Sequence, residues 1–304
     1  MYLLTYLTAL LLANVVSASA IHPRDDAVLK CAEQVPSAEF QKASRTLLAT
    51  ASNSSLTRRQ QGYLTFQVFA HVVYADRTAR GGYVRETLVR EQMKMINKHY
   101  SPVGISFNLV KTTYTQNSNW ASGNDEAGMK RRLRQGGYSD LNLYYTANIP
   151  DPQTGKPVLG LCYFPVNHRP SEQEMETDGC MVTAQTVPGS DPWTGHDMAT
   201  THEIGHWLGL LHTFEPTCRI GDLVDDTFPQ EQPTGHCTDD LVFACGGWQQ
   251  RNMYNFMDYS DCSNAFTAGQ AERMRAWADT RHQIAGTQPG APAPDPAPAV
   301  GIWQ

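Results

Sequence analysis

The stretch His202-Glu203-Ile204-Gly205-His206-Trp207-Leu208-Gly209-Leu210-Leu211-His212 spells H-E-x-x-H-x-x-G-x-x-H, and it decides how the rest of the chain is read. Residues four apart on an α-helix project from one face, so the spacing predicts that the imidazoles of His202 and His206 reach a single ion. Gly209 accepts backbone angles that are costly elsewhere, which predicts a sharp turn returning His212 as a third ligand. Three nitrogen ligands leave zinc one position for water, the mark of a catalytic rather than a structural site. Glu203, next to His202, is the candidate general base: zinc brings the pKa of its water to about 7, and the carboxylate can take the proton as that water attacks a polarised carbonyl. Five fixed positions of these types arise by chance roughly 10⁻⁵ times in a chain of this length. A purely structural three-histidine site is the competing reading, and Glu203 argues against it because such a site needs no carboxylate there. His22, His99, His168 and His282 read as structural or exposed.

The chain of 304 residues, motif included, suits one or two domains with a core of ordinary size. Residues 1–20 (MYLLTYLTALLLANVVSASA) have an apolar centre and close on small residues, as a cleavable secretory signal does, although no Lys or Arg stands near the start. A retained anchor is the alternative, and Asn14, Ser17 and Ser19 shorten the apolar run against it. Without a later stretch of spanning length, the mature chain is expected to be soluble, extracellular and monomeric. Residues 1–59 carry +2, and subtracting that from the overall −6 leaves −8 for residues 60–304. Such a balance gives no electrostatic reason to seek nucleic acid or anionic lipid.

Residues 21–59 read as a polar pro-segment ending in Ser54-Ser55-Leu56-Thr57-Arg58-Arg59, with Arg58-Arg59 either a processing site or part of an ordinary linker. Asn53-Ser54-Ser55 is an N-glycosylation sequon. Strands are expected at Tyr63–Tyr74, Ile105–Val110 and Leu141–Tyr145, with shorter ones at Gly160–Val166 and Met181–Thr186. Helices are expected at about Thr87–Tyr100 and Glu126–Gln135, and a last one at Ala268–Ile284. The mixture gives an α/β (α+β) domain over 60–285. Between about 214 and 267 apolar periodicity disappears and Cys, Asp, Gly and Pro dominate, while residues 286–304 are a Pro/Ala-rich tail that cannot build a core.

Asn255-Phe256-Met257-Asp258-Tyr259 follows the motif, with Met257 forty-five residues beyond His212. An isolated Met is most often core packing, but after this extended motif Met257 resembles the methionine of the tight Met-turn beneath the zinc in metzincin peptidases. Together with Gly205, Trp207, Thr213, the tyrosine two residues after the methionine and the intervening cysteines, the chain resembles the pappalysin family of metzincins, and most closely its secreted fungal-type extracellular metalloproteases. That resemblance implies an upper sheet-and-helix subdomain (60–212), an irregular disulfide-linked lower subdomain (213–285) and a cleft between them. It implies Tyr259 as a hydrogen-bond donor to the developing oxyanion, against the alternative of a buried tyrosine with a satisfied hydroxyl. It also implies the pairs Cys218–Cys245 and Cys237–Cys262, one of three connectivities those four cysteines allow, and leaves Cys162–Cys180 as a third pair.

The seventh cysteine, Cys31, falls in the pro-segment, where its thiolate could hold the fourth zinc position and keep the precursor latent, or have no inhibitory role. Gly221–Thr227 brings Asp222, Asp225 and Asp226 together, either as a calcium loop or as an exposed acidic run. Asp261 either lines the pocket for the residue after the scissile bond, favouring Arg or Lys there, or is a surface or capping residue. The expected function is peptide-bond hydrolysis by zinc-activated water acting on extracellular proteins. A non-catalytic binding protein and a zinc hydrolase of non-peptide amides are the alternatives. The intact Glu203 disfavours the first, and the Met-turn with its third histidine disfavours the second.

Overall fold

The computed structural model describes residues 31–32, 35–52, 62–192, 195–214, 218, 221–235, 237 and 241–286. The signal at 1–20, the Asn53 sequon, the Arg58-Arg59 junction and the tail beyond 286 lie outside the described residues. Central strand β1 (Leu64–Tyr74) pairs in parallel with β2 (Ile105–Gln116) on one side and with β3 (Leu141–Thr146) on the other. A minor antiparallel pair, β4 (Ile149–Pro150) with β5 (Pro157–Val158), precedes β6 (Gly160–Cys162) and β7 (Cys180–Thr183). β7 continues the parallel set beside β3, and β6 closes the sheet antiparallel to it, giving the order β2-β1-β3-β7-β6.

β1 alternates only partly in sequence because both of its faces are covered at the centre. Phe66, Val68, Ala70 and Val72 enter the main core with α2 (Glu86–Tyr100), whose Val89, Met93 and Ile96 are buried. Val73 faces the opposite cluster with Tyr144, Met181 and Met129, the last from α4 (Glu126–Leu133). Short helix α3 (Ser118–Ala121) precedes α4, capped by the Asn117 side chain.

The expected strand over Gly160–Val166 is confined to Gly160–Cys162. Pro165 cannot donate to a ladder, and the chain turns so that Val166 N donates to Tyr138 Oη. The strand expected to Thr186 ends at Thr183, where a 3-10 turn over 184–186 takes over. The short helix α5 (Glu172–Thr177) was not anticipated and carries a complete Ser171/Glu174 capping box. The disulfide Cys162–Cys180 ties β6 to β7.

Below the sheet lie the motif helix α6 (Ala199–Trp207) and the long α7 (Ala268–Gly286). Ile204 and Trp207 of α6 join the main core with Met257, and Met274 and Ala278 of α7 close it. The polar segment before β1, over which no element is expected from sequence, contains helix α1 (Ala38–Ser52), whose Phe40 and Ala43 are buried against Leu211 and Trp277 with Leu47 alongside. The 214–267 region is irregular apart from the hairpin β8 (Val242–Ala244) and β9 (Gly247–Gln249), and disulfides Cys218–Cys245 and Cys237–Cys262 staple it.

Candidate active site

α6 ends where Gly209 enters the left-handed region at φ 85°. Gly209 N donates to His206 O (2.8 Å) and Leu210 N to Gly205 O (2.9 Å), a Schellman arrangement that satisfies the last carbonyls of the helix. The buried Leu210 carbonyl then accepts from His206 Nδ1 at 2.8 Å, and the Phe256 carbonyl accepts from His202 Nδ1 at 2.7 Å. With both Nδ1 atoms committed, the Nε2 atoms converge: His202, His206 and His212 Nε2 lie 3.1–3.2 Å from one another.

That mutual spacing is close to what three nitrogens sharing one ion at about 2.0–2.1 Å require. The electrostatics agree. Burial, then the neighbouring His212, pushes His202 down to about 3 and drives His206 well below the usual imidazole range. Both are therefore neutral at neutral pH, the form that ligates metal.

Met257 is wholly buried, its sulfur against Gly205, where a side chain on the helix would collide with it. Its carbonyl accepts from Thr213 N at 3.2 Å, anchoring the residue after the third histidine. Glu203 is 1% exposed, and desolvation pushes its carboxyl well above the usual range. Its Oε2 has no protein partner, and Gly160 on β6 is the residue that leaves room for it, since a Cβ there would strike the carboxylate.

Cys31 Sγ sits at the same convergence, 2.9 Å from His212 Nε2, 3.4 Å from His202 Nε2 and 3.5 Å from His206 Nε2. Tyr259 Oη donates to that sulfur at 3.3 Å and accepts from Cys31 N at 3.2 Å, and it lies 3.3 Å from His212 Nε2. Burial, and then the Cys31 thiol, holds the Tyr259 hydroxyl well above its usual range, so it remains a donor. Next along the chain, Ala32 N donates to Gly160 O at 3.0 Å on the edge strand.

Residues 180–279 match the peptidase family M43, described as pregnancy-associated plasma protein-A. An extracellular metalloprotease 1 of Coccidioides posadasii is 38% identical over 245 residues, 79% of this chain and 86% of that protein. Extracellular metalloproteases of Arthroderma otae (42% over 220 residues; 70% and 78%) and Pyricularia oryzae (38% over 278 residues; 89% and 94%) are similar as well. The chain belongs to the pappalysin family. It is a metalloendopeptidase, and its family implies a metal, for which Cys31, His202, His206 and His212 form a group with ligand atoms close enough to share one ion.

The pappalysin core is braced by residues that carry no local sequence signal. Tyr100 Oη donates to Thr201 O and His99 Nδ1 meets Thr201 Oγ1, both at 2.8 Å, while Gln92 Nε2 donates to Thr200 Oγ1 at 2.6 Å. Trp207 Nε1 donates to Asp178 at 3.0 Å, and Arg281 of α7 donates to the same carboxylate (2.8 Å) and to Trp207 O (3.2 Å). The Arg281 guanidinium also stacks 3.8 Å from the Trp207 ring centre, so α7 clamps the end of the motif helix.

The acidic loop is dispersed. Asp226 accepts from Thr267 Oγ1 (2.6 Å) and Gly269 N (2.8 Å), which fixes the start of α7. Asp225 is exposed. Asp222 is buried, accepts from Val224 N and Thr227 Oγ1, and keeps Oδ2 without a protein partner. Burial raises the Asp222 carboxyl to about 6. Asp261 is exposed beside Cys262.

Proposed function

We propose that the chain is a zinc endopeptidase, extracellular like the relatives its sequence resembles, made with a signal at 1–20 and a latency segment over 21–59, and active as the 60–285 domain. The observation that carries this reading is the convergence of three Nε2 atoms, those of His202 and His206 on imidazoles that burial keeps neutral, beside the buried Glu203 carboxylate, whose Oε2 has no protein partner. His202, His206 and His212 hold the ion. When bound, zinc supplies the Lewis acidity that activates water and polarises the scissile carbonyl. Glu203 takes the proton of the attacking water and delivers it to the departing amine as the C–N bond breaks. Tyr259 donates its hydroxyl hydrogen to the carbonyl oxygen as negative charge develops there, and Met257 supports the histidines from below.

In the precursor the Cys31 thiol takes the place the water and substrate would need, a reading supported by its distances to all three imidazoles and to Tyr259. Calcium at Asp222 with Asp225 is a further part of the proposal, supported by the unpartnered Asp222 Oδ2. So is a preference for Arg or Lys after the cut bond, supported by the exposed acid Asp261 below the Met-turn.

The test is cleavage of a diverse peptide library by the processed protein, alongside Glu203→Gln and a chelator followed by zinc. We expect cleavage to fall by a factor of about 10² or more in the variant while zinc is retained, and to return with zinc after chelation. Zinc binding with no cleavage of any peptide by the processed wild type would sink the peptidase reading. The same library reads out the residue after the cut.

A further inference from the structure

Phe40 of α1 does more than fill the core. Its ring lies 4.6 Å from Phe164 at an interplanar angle of 25° and 5.5 Å from Trp277 at 10°, with the Arg273 guanidinium 5.6 Å over its face. Leu211, just before the third histidine, closes the slot. Two nearly parallel rings and a cation select a flat aromatic guest over a branched aliphatic one, because stacking and cation–π attraction add to burial. None of these walls takes part in the hydrolytic steps, and all belong to the catalytic domain, not to the segment that leaves.

The slot adjoins the reaction centre. Phe164 touches Phe40 on one side and packs edge-on against the His206 ring at 5.6 Å on the other, so the guest ring lies at most about 10 Å from a metal ligand. An extended chain covers about 3.3 Å per residue, which makes that distance about three residues. The latency segment runs in the same direction as the edge of the sheet, with Ala32 beside Gly160 and Phe40 beside Phe164. A substrate that adds antiparallel to β6 runs the other way, which brings residues N-terminal to the cut bond to Phe164.

We propose that the slot filled by Phe40 in the precursor becomes a substrate subsite in the processed enzyme, selecting Phe, Tyr or Trp about three positions before the scissile bond. The inference rests on the reading of 21–59 as a segment that is removed. It assigns Phe164, Leu211, Arg273 and Trp277 as specificity residues, with Phe40 as an internal mimic of the substrate side chain.

The test steps a single Phe through the five positions on each side of the cut bond in an otherwise alanine-rich peptide and measures kcat/KM for processed wild type and Phe164→Ala. A maximum of about tenfold two to four residues before the cut, with Tyr above Leu above Ala there, is expected in wild type, and a flattened ratio in Phe164→Ala. Binding of the same peptides to processed Glu203→Gln protein by calorimetry gives the same order without catalysis. A flat wild-type profile, or one that Phe164→Ala leaves unchanged in a protein with wild-type circular dichroism, overturns the subsite. If no peptide is cut, the peptidase reading fails and the calorimetric series alone decides: a retained aromatic preference upholds the slot, and equal binding of Phe and Ala peptides overturns it.

Discussion

Replacing Gly209 by Ala tests whether the turn after Trp207 assembles the metal site. At φ 85° an L-residue costs about 1–2 kcal/mol relative to glycine, offset by about 0.5–1 kcal/mol from a less flexible unfolded chain. The added Cβ also meets the Trp277 indole, which has nowhere to retreat. Trp277 is 0% exposed, stacks on Phe40, and donates through Nε1 to Ser44 Oγ at 3.2 Å. Overpacking of that kind costs about 1–3 kcal/mol. The net is about 1–4.5 kcal/mol, and for a domain of this size each kcal/mol moves the melting point by about 2–4 °C, so a fall of roughly 2–18 °C is expected.

Distortion of the turn also moves the Leu210 carbonyl that orients His206, and it moves His212 itself, so the zinc-induced rise in melting point should shrink with the affinity. The assay is calorimetry of the Glu203→Gln protein with and without Gly209→Ala, in chelator and in zinc. A variant that melts within about 1 °C of its parent and gains as much from zinc would refute the argument.

Cys31→Ser in the full-length protein should give peptide cleavage before any processing, because a hydroxyl is a far weaker zinc ligand than a thiolate; continued silence of that variant would count against a latency thiol. Tyr259→Phe in the processed enzyme should lower kcat by about 10²-fold with KM little changed, and an equal rise in KM instead would move Tyr259 from transition-state donor to substrate contact. Asp222 has a folded-state pKa of about 6 against an ordinary 3.8, so its proton is favoured by folding and its contribution to stability is lost as the pH rises from about 4 to 6. In chelator, denaturant titrations should therefore show Asp222→Asn gaining on wild type by about 2–3 kcal/mol across that window and holding the gain above it. Calcium should erase the gap if the loop binds it, whereas a pH-independent difference would contradict the burial argument.

The clustering of the three histidines was legible because its information is local. His202, His206 and His212 lie within eleven residues, one helical repeat plus one glycine turn places them, and the structure brings all three Nε2 atoms together. The sheet was legible where strands were long. It was misjudged at β6 and β7, where three or four residues suffice because a disulfide and the neighbouring strand supply the rest. Hairpin β8–β9 escaped notice for the same reason, although its two-residue turn Cys245-Gly246, both at positive φ, is a primed-turn signal. Helix α1 was missed although Phe40, Ala43 and Leu47 stand at i, i+3 and i+7; its polar surroundings masked a short apolar stripe. The bracing by Asp178, Arg281, Gln92 and His99 had no signal to find, since each partner is about 30 to more than 100 residues distant.

Seven thiols in one oxidising compartment pose a sorting problem, and the spacing along the chain solves one part of it, the exclusion of Cys31. The three native bridges close loops of 18, 27 and 25 residues. Cys31 is 131 residues from Cys162, the nearest alternative partner. Encounter probability in a flexible chain falls with the three-halves power of loop length, so Cys162 meets Cys180 roughly twenty times as often as it meets Cys31. Statistics alone thus favour pairing among the six later cysteines and withdraw their sulfurs from exchange with Cys31, while the choice among those six falls to the fold, since Cys237 and Cys245 stand only 8 residues apart and do not pair. The solitary thiol stays reduced until the histidines that receive it have folded.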